Sequence, residues 1–166
     1  MLRKGERVLN ATQEKTWLLS FSIKPFSVSD DETNILHVTP RDDGKSSHGG
    51  QLTLVSFLPG STKLKICNNV NKTNVCFKTK RELSLGEYTR VTLSQTIKAD
   101  DVYEFLAYVG KEEIYATINT DARNWGSVWV YMSSPWFSPA HAYVKDLQYR
   151  TPMQGRYHYY RLRNNP

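Results

Sequence analysis

The chain is expected to be all-β, its antiparallel strands stacked as a sandwich or closed as a barrel. Apolar residues recur with a period of two nearly everywhere and with a period of 3.6 almost nowhere. About ten short segments of this kind follow one another, a spacing typical of sandwiches and barrels. Turn-forming clusters such as "DDGKSSHGG", "LPGS", "SLGE" and "VGKEE" divide them.

In chain order, "TWLLSFSIKP" sets Trp17, Leu19, Phe21 and Ile23 on one parity and Ser20, Ser22 and Lys24 on the other. It reads as a half-buried strand ended by Pro25, which has no N–H to give a ladder. "NILHVT" follows and runs into the turn-rich "PRDDGKSSHGG", and "QLTLVSF" stops at "LPGS". "KLKIC" and "VCFKT" flank "NNVNKTN"; "TRVTLSQT" follows "SLGE"; "VYEFLAYV" and "EIYATIN" meet at "VGKEE". "SVWVYM" and "AYVKDLQY" close the series, joined by "SSPWFSPAH". No internal repeat or low-complexity segment interrupts it.

The sole two cysteines fall in the strands around "NNVNKTN". Pairing those strands about their midpoint sets Ile66 opposite Phe77 and Leu64 opposite Thr79 on the face toward the core. Cys67 then faces Cys76. Both share parity with Lys63, Lys65, Lys78 and Lys80, which puts them on the outer face at the last rung before the loop. Directly opposed cysteines have the separation a disulfide needs. Nothing nearby supplies two more ligands for a metal. Asn71-Lys72-Thr73 at the hairpin tip and Asn10-Ala11-Thr12 both have the form of N-glycosylation acceptors. Disulfide and tip acceptor together predict an extracellular setting, as a secreted protein or an ectodomain of a larger one.

A chain of 166 residues is the size of one domain. Its net charge of +6 is held by the ends: residues 1–10 carry +2, residues 150–166 carry +4 with no acid, and the body between is neutral. A nucleic-acid face on the fold itself is therefore not expected, although the tails are basic enough to meet a polyanion. No apolar run is long enough for a spanning helix, and "MLRKGERVLN" lacks the apolar stretch of a signal peptide, so the chain reads as a mature domain or an excised piece, without membrane insertion.

The order "WLLSFSIKP", "NILHVT", "STKLKICNNVN", "GEYTRVTLSQT", "YVGKEEIYATINTDAR", "VWVYMSSPWFSPAHAYVKDLQY" resembles the concanavalin A-like lectin/glucanase superfamily in its laminin-G-like and pentraxin-like versions. The resemblance covers residues 8–150 and implies an antiparallel two-sheet jelly-roll sandwich whose first and last strands pair. Residues 151–166 are then a basic C-terminal tail or linker. "HVTPRDDG" resembles the "H.NPR" strand of galectins, with Thr39 where they have asparagine; "NWG" at Asn124–Gly126 resembles their Trp-Gly pair, later in the chain.

Glycosidic catalysis would need two carboxylates on one side of a cleft. Glu112 and Glu113 are adjacent and point to opposite faces, as do Asp100 and Asp101, and the "E.D..E" pattern of the superfamily's glucanases is absent. His37, His48, His141 and His158 are scattered. The expected function is non-catalytic binding, most simply of a glycan, the alternative being a protein-interaction or adhesion module. Sugar sites combine planar side chains with polar groups. The candidate ligand-binding residues are therefore Arg41, Asp42, Asp43 and His48 in one loop, Asp121, Asn124 and Trp125 in a second, and Trp136 in a third. No cofactor is required. Ca²⁺ is the conceivable ion, through the oxygens of "SDDET" and "RDDG", neither with the spacing of a helix–loop–helix calcium loop.

Overall fold

The computed structural model describes residues 1–41 and 52–152 in full, with the backbone of Met153, Arg156–Tyr157 and Tyr160–Arg161. Its strands are β1 (Glu6–Gln13), β2 (Trp17–Pro25), β3 (Thr33–Pro40), β4 (Thr53–Phe57), β5 (Leu64–Val70), β6 (Thr73–Lys78), β7 (Thr89–Ala99), β8 (Val102–Val109), β9 (Glu112–Asn119), β10 (Gly126–Met132), β11 (Ala142–Arg150), β12 (Pro152–Met153), β13 (Arg156–Tyr157) and β14 (Tyr160–Arg161). Each of the ten segments read from alternation is a strand, and no helix occurs among the described residues. β1 is additional. It pairs on one side only, and of its eight residues Ala11 and Gln13 alone are buried, so its sequence carries little alternation.

Two antiparallel six-stranded sheets form the sandwich. The first runs β1-β10-β3-β4-β5-β6 and the second β14-β11-β2-β7-β8-β9, with β12 and β13 as a separate ladder. β2 and β11, the first and last of the expected strands, pair as the superfamily's pattern implies. The core lies between the sheets. Leu19, Phe21 and Ile23 of β2, Val91 and Leu93 of β7 and Phe105 of β8 meet Leu36 and Val38 of β3, Ile66 of β5 and Val128 and Val130 of β10, every one without solvent exposure. Burying each large side chain contributes roughly 1.5 to 3 kcal/mol. At the open side of the sandwich Phe77 of β6 stacks on Tyr115 of β9, centroids 4.3 Å apart, so one ring pair closes one sheet's edge strand onto the other's. At the N-terminus Leu2 is buried, its N–H donating to the Ala142 carbonyl (3.2 Å).

β2 is more enclosed than a half-buried strand. Its outward Ser20 and Ser22 are buried as well as its inward residues. β2 lies inside its sheet between β11 and β7, and long side chains reach across it: the Arg90 guanidinium of β7 donates to Ser20 Oγ (2.6 Å). Small hydroxyls let a neighbour cover them, which alternation by itself does not register.

The cysteine hairpin has the expected register, with Ile66 opposite Phe77 and Cys67 opposite Cys76, and the two cysteines form a disulfide with Cα atoms 4.0 Å apart. They do not sit at the last rung. Three further pairs, Asn68–Val75, Asn69–Asn74 and Val70–Thr73, continue the ladder. The turn shrinks to Asn71 and Lys72, both at positive φ (49° and 64°), the conformation of a two-residue type I′ hairpin turn. Asparagine tolerates the left-handed region, so a stretch that reads as loop by composition extends as strand up to the turn.

Candidate functional site

The loops thought to carry the ligand site part company in space. Trp125 immediately precedes β10, and Trp136 follows its far end. β10 spans the sheet, so the two tryptophans stand at opposite ends of one strand. Asp42, Asp43 and His48 lie outside the described residues. Arg41, the last described residue of that loop, is exposed, and its N–H donates to the Ser127 carbonyl (2.9 Å), beside Trp125.

The Trp125 end is a scaffold of amide hydrogen bonds. Asn119, buried, accepts from the N–H groups of Asn71 and Asp121 (both 3.1 Å) and donates to Gln95 Oε1 (2.7 Å). Gln95 donates onward to the Lys15 carbonyl (2.6 Å), while the Lys15 N–H donates to Asn124 Oδ1 (2.9 Å). The Asp121 carboxylate meets Arg123 Nε at 2.8 Å and Lys72 Nζ at 3.7 Å. Asn71 donates from Nδ2 to the Ile118 carbonyl (3.1 Å) and accepts from the Thr120 N–H (2.8 Å), tying the hairpin tip to the end of β9. Asp121 and Asn124 thus hold neighbouring loops together, and Trp125 is half-buried against the core.

The other end of β10 is built differently. Asn34 of β3 donates from Nδ2 to the Val55 carbonyl (3.0 Å) and accepts at Oδ1 from the Ser134 N–H (2.6 Å). Its backbone N–H donates to the Ser138 carbonyl (2.7 Å), and its carbonyl accepts from Ala140 (2.9 Å). One buried asparagine therefore pins the 133–140 connection from both ends. That fixes Trp136, 65% exposed, edge-on to the His37 ring with centroids 5.5 Å apart. His37 is 3% exposed, with Ser134 Oγ 3.1 Å from its Nδ1 and no partner at its buried Nε2. Burial alone lowers its pKa to about 4, so its imidazole is neutral at physiological pH.

From His37 the outer face of the first sheet continues as a ribbon of planar groups. Tyr131 of β10 is paired with His37, Trp129 lies 6.3 Å from Tyr131 at a right angle, and the Arg7 guanidinium of β1 sits 5.1 Å over the Trp129 ring. Trp136, His37, Tyr131, Trp129 and Arg7 thus cross three adjacent strands. Asn10, the first glycosylation acceptor, is exposed and paired with Trp129 at the ribbon's border. Trp129, Tyr131 and Arg7 were not among the expected site residues, yet the signal was present: in "SVWVYM" the aliphatic residues take one parity and both aromatic rings the other.

A separate cavity of about 320 Å³ lies between the 78–84 connection and β9, lined among others by Lys78, Arg81, Glu82, Glu112 and Glu113, and by none of the expected residues. Among the described residues no group of three or more His, Cys, Asp and Glu side chains is placed to hold a metal ion. No helix among them is long and apolar enough to cross a membrane.

The sequence matches no family model and no curated protein. The structure is similar to a native heptameric SAP-like pentraxin from Limulus polyphemus, with TM-score 0.57 and 14% identity over 86% of this chain and 67% of that one. It is similar also to sheep galectin-11 in complex with glycerol, with TM-score 0.52 and 9% identity over 90% and 99%. A third neighbour is an endo-β-1,4-glucuronan lyase from the fungus Trichoderma reesei, with TM-score 0.50 and 11% identity over 80% and 65%. The chain spans about two thirds of the pentraxin and lyase chains. At such identities the likeness is one of fold. Two antiparallel sheets in this order, with these neighbours, give the chain a jelly-roll sandwich fold shared with the pentraxin and the galectin.

Proposed function

We propose that this protein is a non-catalytic, extracellular binding module that recognises a glycan on the outer face of the first sheet. The observation that carries this reading is the ribbon from Arg7 through Trp129, Tyr131 and His37 to the exposed Trp136. The exposed Trp136 and the half-buried Tyr131 offer the apolar faces of sugar rings a stacking surface, and Arg7, held over Trp129, offers hydrogen-bond donors to hydroxyls. The rings stand on a buried sheet and an asparagine-pinned connection, so little ordering remains to be done on binding. The galectin likeness, by fold, supports the same reading, and the disulfide supports the extracellular setting. Asn10 and Asn71 are the proposed glycosylation acceptors; a chain attached at Asn10 would stand beside Trp129.

The experiment is a glycan array followed by titration of the best hit against the wild type, Trp129→Ala and Trp136→Ala. Each substitution should weaken binding at least about tenfold, equivalent to about 1.4 kcal/mol. Trp136, largely exposed, should give way without loss of melting temperature. Retained affinity in both folded variants would overturn the site. Because a glucuronan lyase shares the fold, the array hit and a polyuronate are also incubated with the protein; appearance of an unsaturated uronate product would overturn the non-catalytic part. A clean array together with specific capture by an extracellular protein would favour adhesion instead.

A further inference from the structure

The second sheet carries, on its outer face, cations that the rest of the fold leaves uncompensated. Tyr143 and Lys145 of β11 are paired with Lys24 and Ser22 of β2, and Ser22 in turn with Arg90 of β7, so these side chains occupy adjoining positions on three neighbouring strands. Lys24 Nζ lies 5.0 Å from the Tyr88 ring centroid and 5.3 Å from that of Tyr143, and Lys145 Nζ lies 4.0 Å from Tyr88. Tyr88 and Tyr143 are 43% and 45% exposed, so this arrangement faces solvent. Elsewhere Lys15, Lys65, Lys72, Lys98 and Arg123 are each within 4.0 Å of a carboxylate. Among the described residues Lys24, Arg90 and Lys145 have no such partner: the two lysines rest on tyrosine rings, and Arg90 donates to a neutral hydroxyl. Glu87 and Asp146, next in sequence to Tyr88 and Lys145, form no ion pair with them. One short strand near the end of the chain adds to the same sheet. β14 pairs with the free edge of β11, setting Arg161 opposite Gln148, within a segment of four arginines and no acid.

We propose that this face binds a sulfated polysaccharide, at a site separate from the aromatic ribbon and on the opposite sheet. An extended polymer with regularly spaced anions can meet Lys24, Lys145 and Arg90 together. The tyrosines hold the ammonium groups in place before binding, which lowers the ordering cost that usually weakens lysine–anion contacts. The same contacts discriminate between polyanions. Single-stranded nucleic acid gains affinity by stacking bases on open aromatic faces. Here the faces of Tyr88 and Tyr143 are occupied by lysine ammonium groups, leaving charge on offer rather than stacking. The near-neutral body of the chain conceals this: on this face the lysines lack carboxylate partners, while Lys15, Lys65, Lys72 and Lys98 are each paired with one.

The test uses the full chain and heparin as the probe, at about 0.15 M salt. The wild type should bind, with affinity falling steeply as salt rises. The double variant Lys24→Gln/Lys145→Gln should lose at least about tenfold in affinity and show a shallower salt dependence. The control Lys72→Gln/Lys98→Gln removes the same formal charge at hairpin tips and should change affinity less than about threefold, and Trp129→Ala should leave heparin binding intact. No binding by the wild type, an equal loss in the control pair, or displacement of heparin by single-stranded DNA at equal charge concentration would overturn the proposal.

Discussion

His37 shows how one residue's surroundings reverse its ordinary role. A histidine at a strand's outward parity would normally be solvated and titrate near 6.5. Here Trp136 and the pinned 133–140 connection cover it, and burial takes its pKa down to about 4. The unfolded chain therefore takes up a proton near pH 6.5 that the fold refuses until about pH 4. Its contribution to stability is complete above pH 6.5 and is lost as pH falls through that window, by up to about 3 kcal/mol at pH 4. The groups around the ring, Tyr131, Leu54, Ser134 and Trp136, include no carboxylate to offset the penalty. Urea titrations at pH 7 and pH 4.5 should show His37→Gln losing about 2 kcal/mol less between the two pH values than the wild type. Equal losses in both proteins would refute this account. Residues acting at this scale were only half legible: alternation could place His37, Trp129 and Tyr131 outward, but not foretell that the first would be covered and the others left partly open.

At the scale of elements, the β5–β6 hairpin joins several devices in one short stretch. A two-residue turn in the left-handed region sets the register, the register opposes the cysteines, and Asn71 binds the tip to β9. By loop entropy, a crosslink spanning a sequence separation of 9 stabilises by roughly 2.7 kcal/mol at most, because the hairpin already brings its ends together. Replacing both cysteines by serine should lower stability by about 1 to 3 kcal/mol and leave the strand signature of the circular dichroism spectrum intact. A variant that fails to fold would mean the bond specifies the hairpin rather than reinforcing it. The register could be read from the sequence since mirror symmetry about "NNVNKTN" admits one apolar pairing. The extra rungs could not, because asparagine is as much at home in a loop as in the last pairs of a tight hairpin.

The whole molecule closes through strands far apart in the chain. β1 pairs with β10 and β2 with β11, matches such as Asn10 with Trp129 and Ser22 with Lys145, each made across well over a hundred residues. Sandwiches of this kind form their decisive contacts only after large loops have closed, and that entropy must be lost before the contacts reward it. With the disulfide intact, refolding from urea should show a main phase in the millisecond-to-second range. A main phase faster than about 100 microseconds would contradict a folding barrier set by these long-range pairings.

What the sequence determined by itself was local and periodic: ten strands, their inward faces, the cysteine pairing, and from these the sandwich. Period-two patterning records which face meets the core because burial is energetically the largest favourable term in folding, and every strand repeats it. Only the tertiary structure decided which outward residues meet. Trp125 and Trp136 sit close in sequence yet stand at opposite ends of β10, while Arg7, His37 and Trp136 come together from three distant segments. It also decided which charges stay unpaired: Lys98 finds Glu104, while Lys24 and Lys145 find tyrosine rings. Outward residues contribute little to stability one by one, so folding leaves their identities free, and their grouping follows from strand order and register, which no single segment contains.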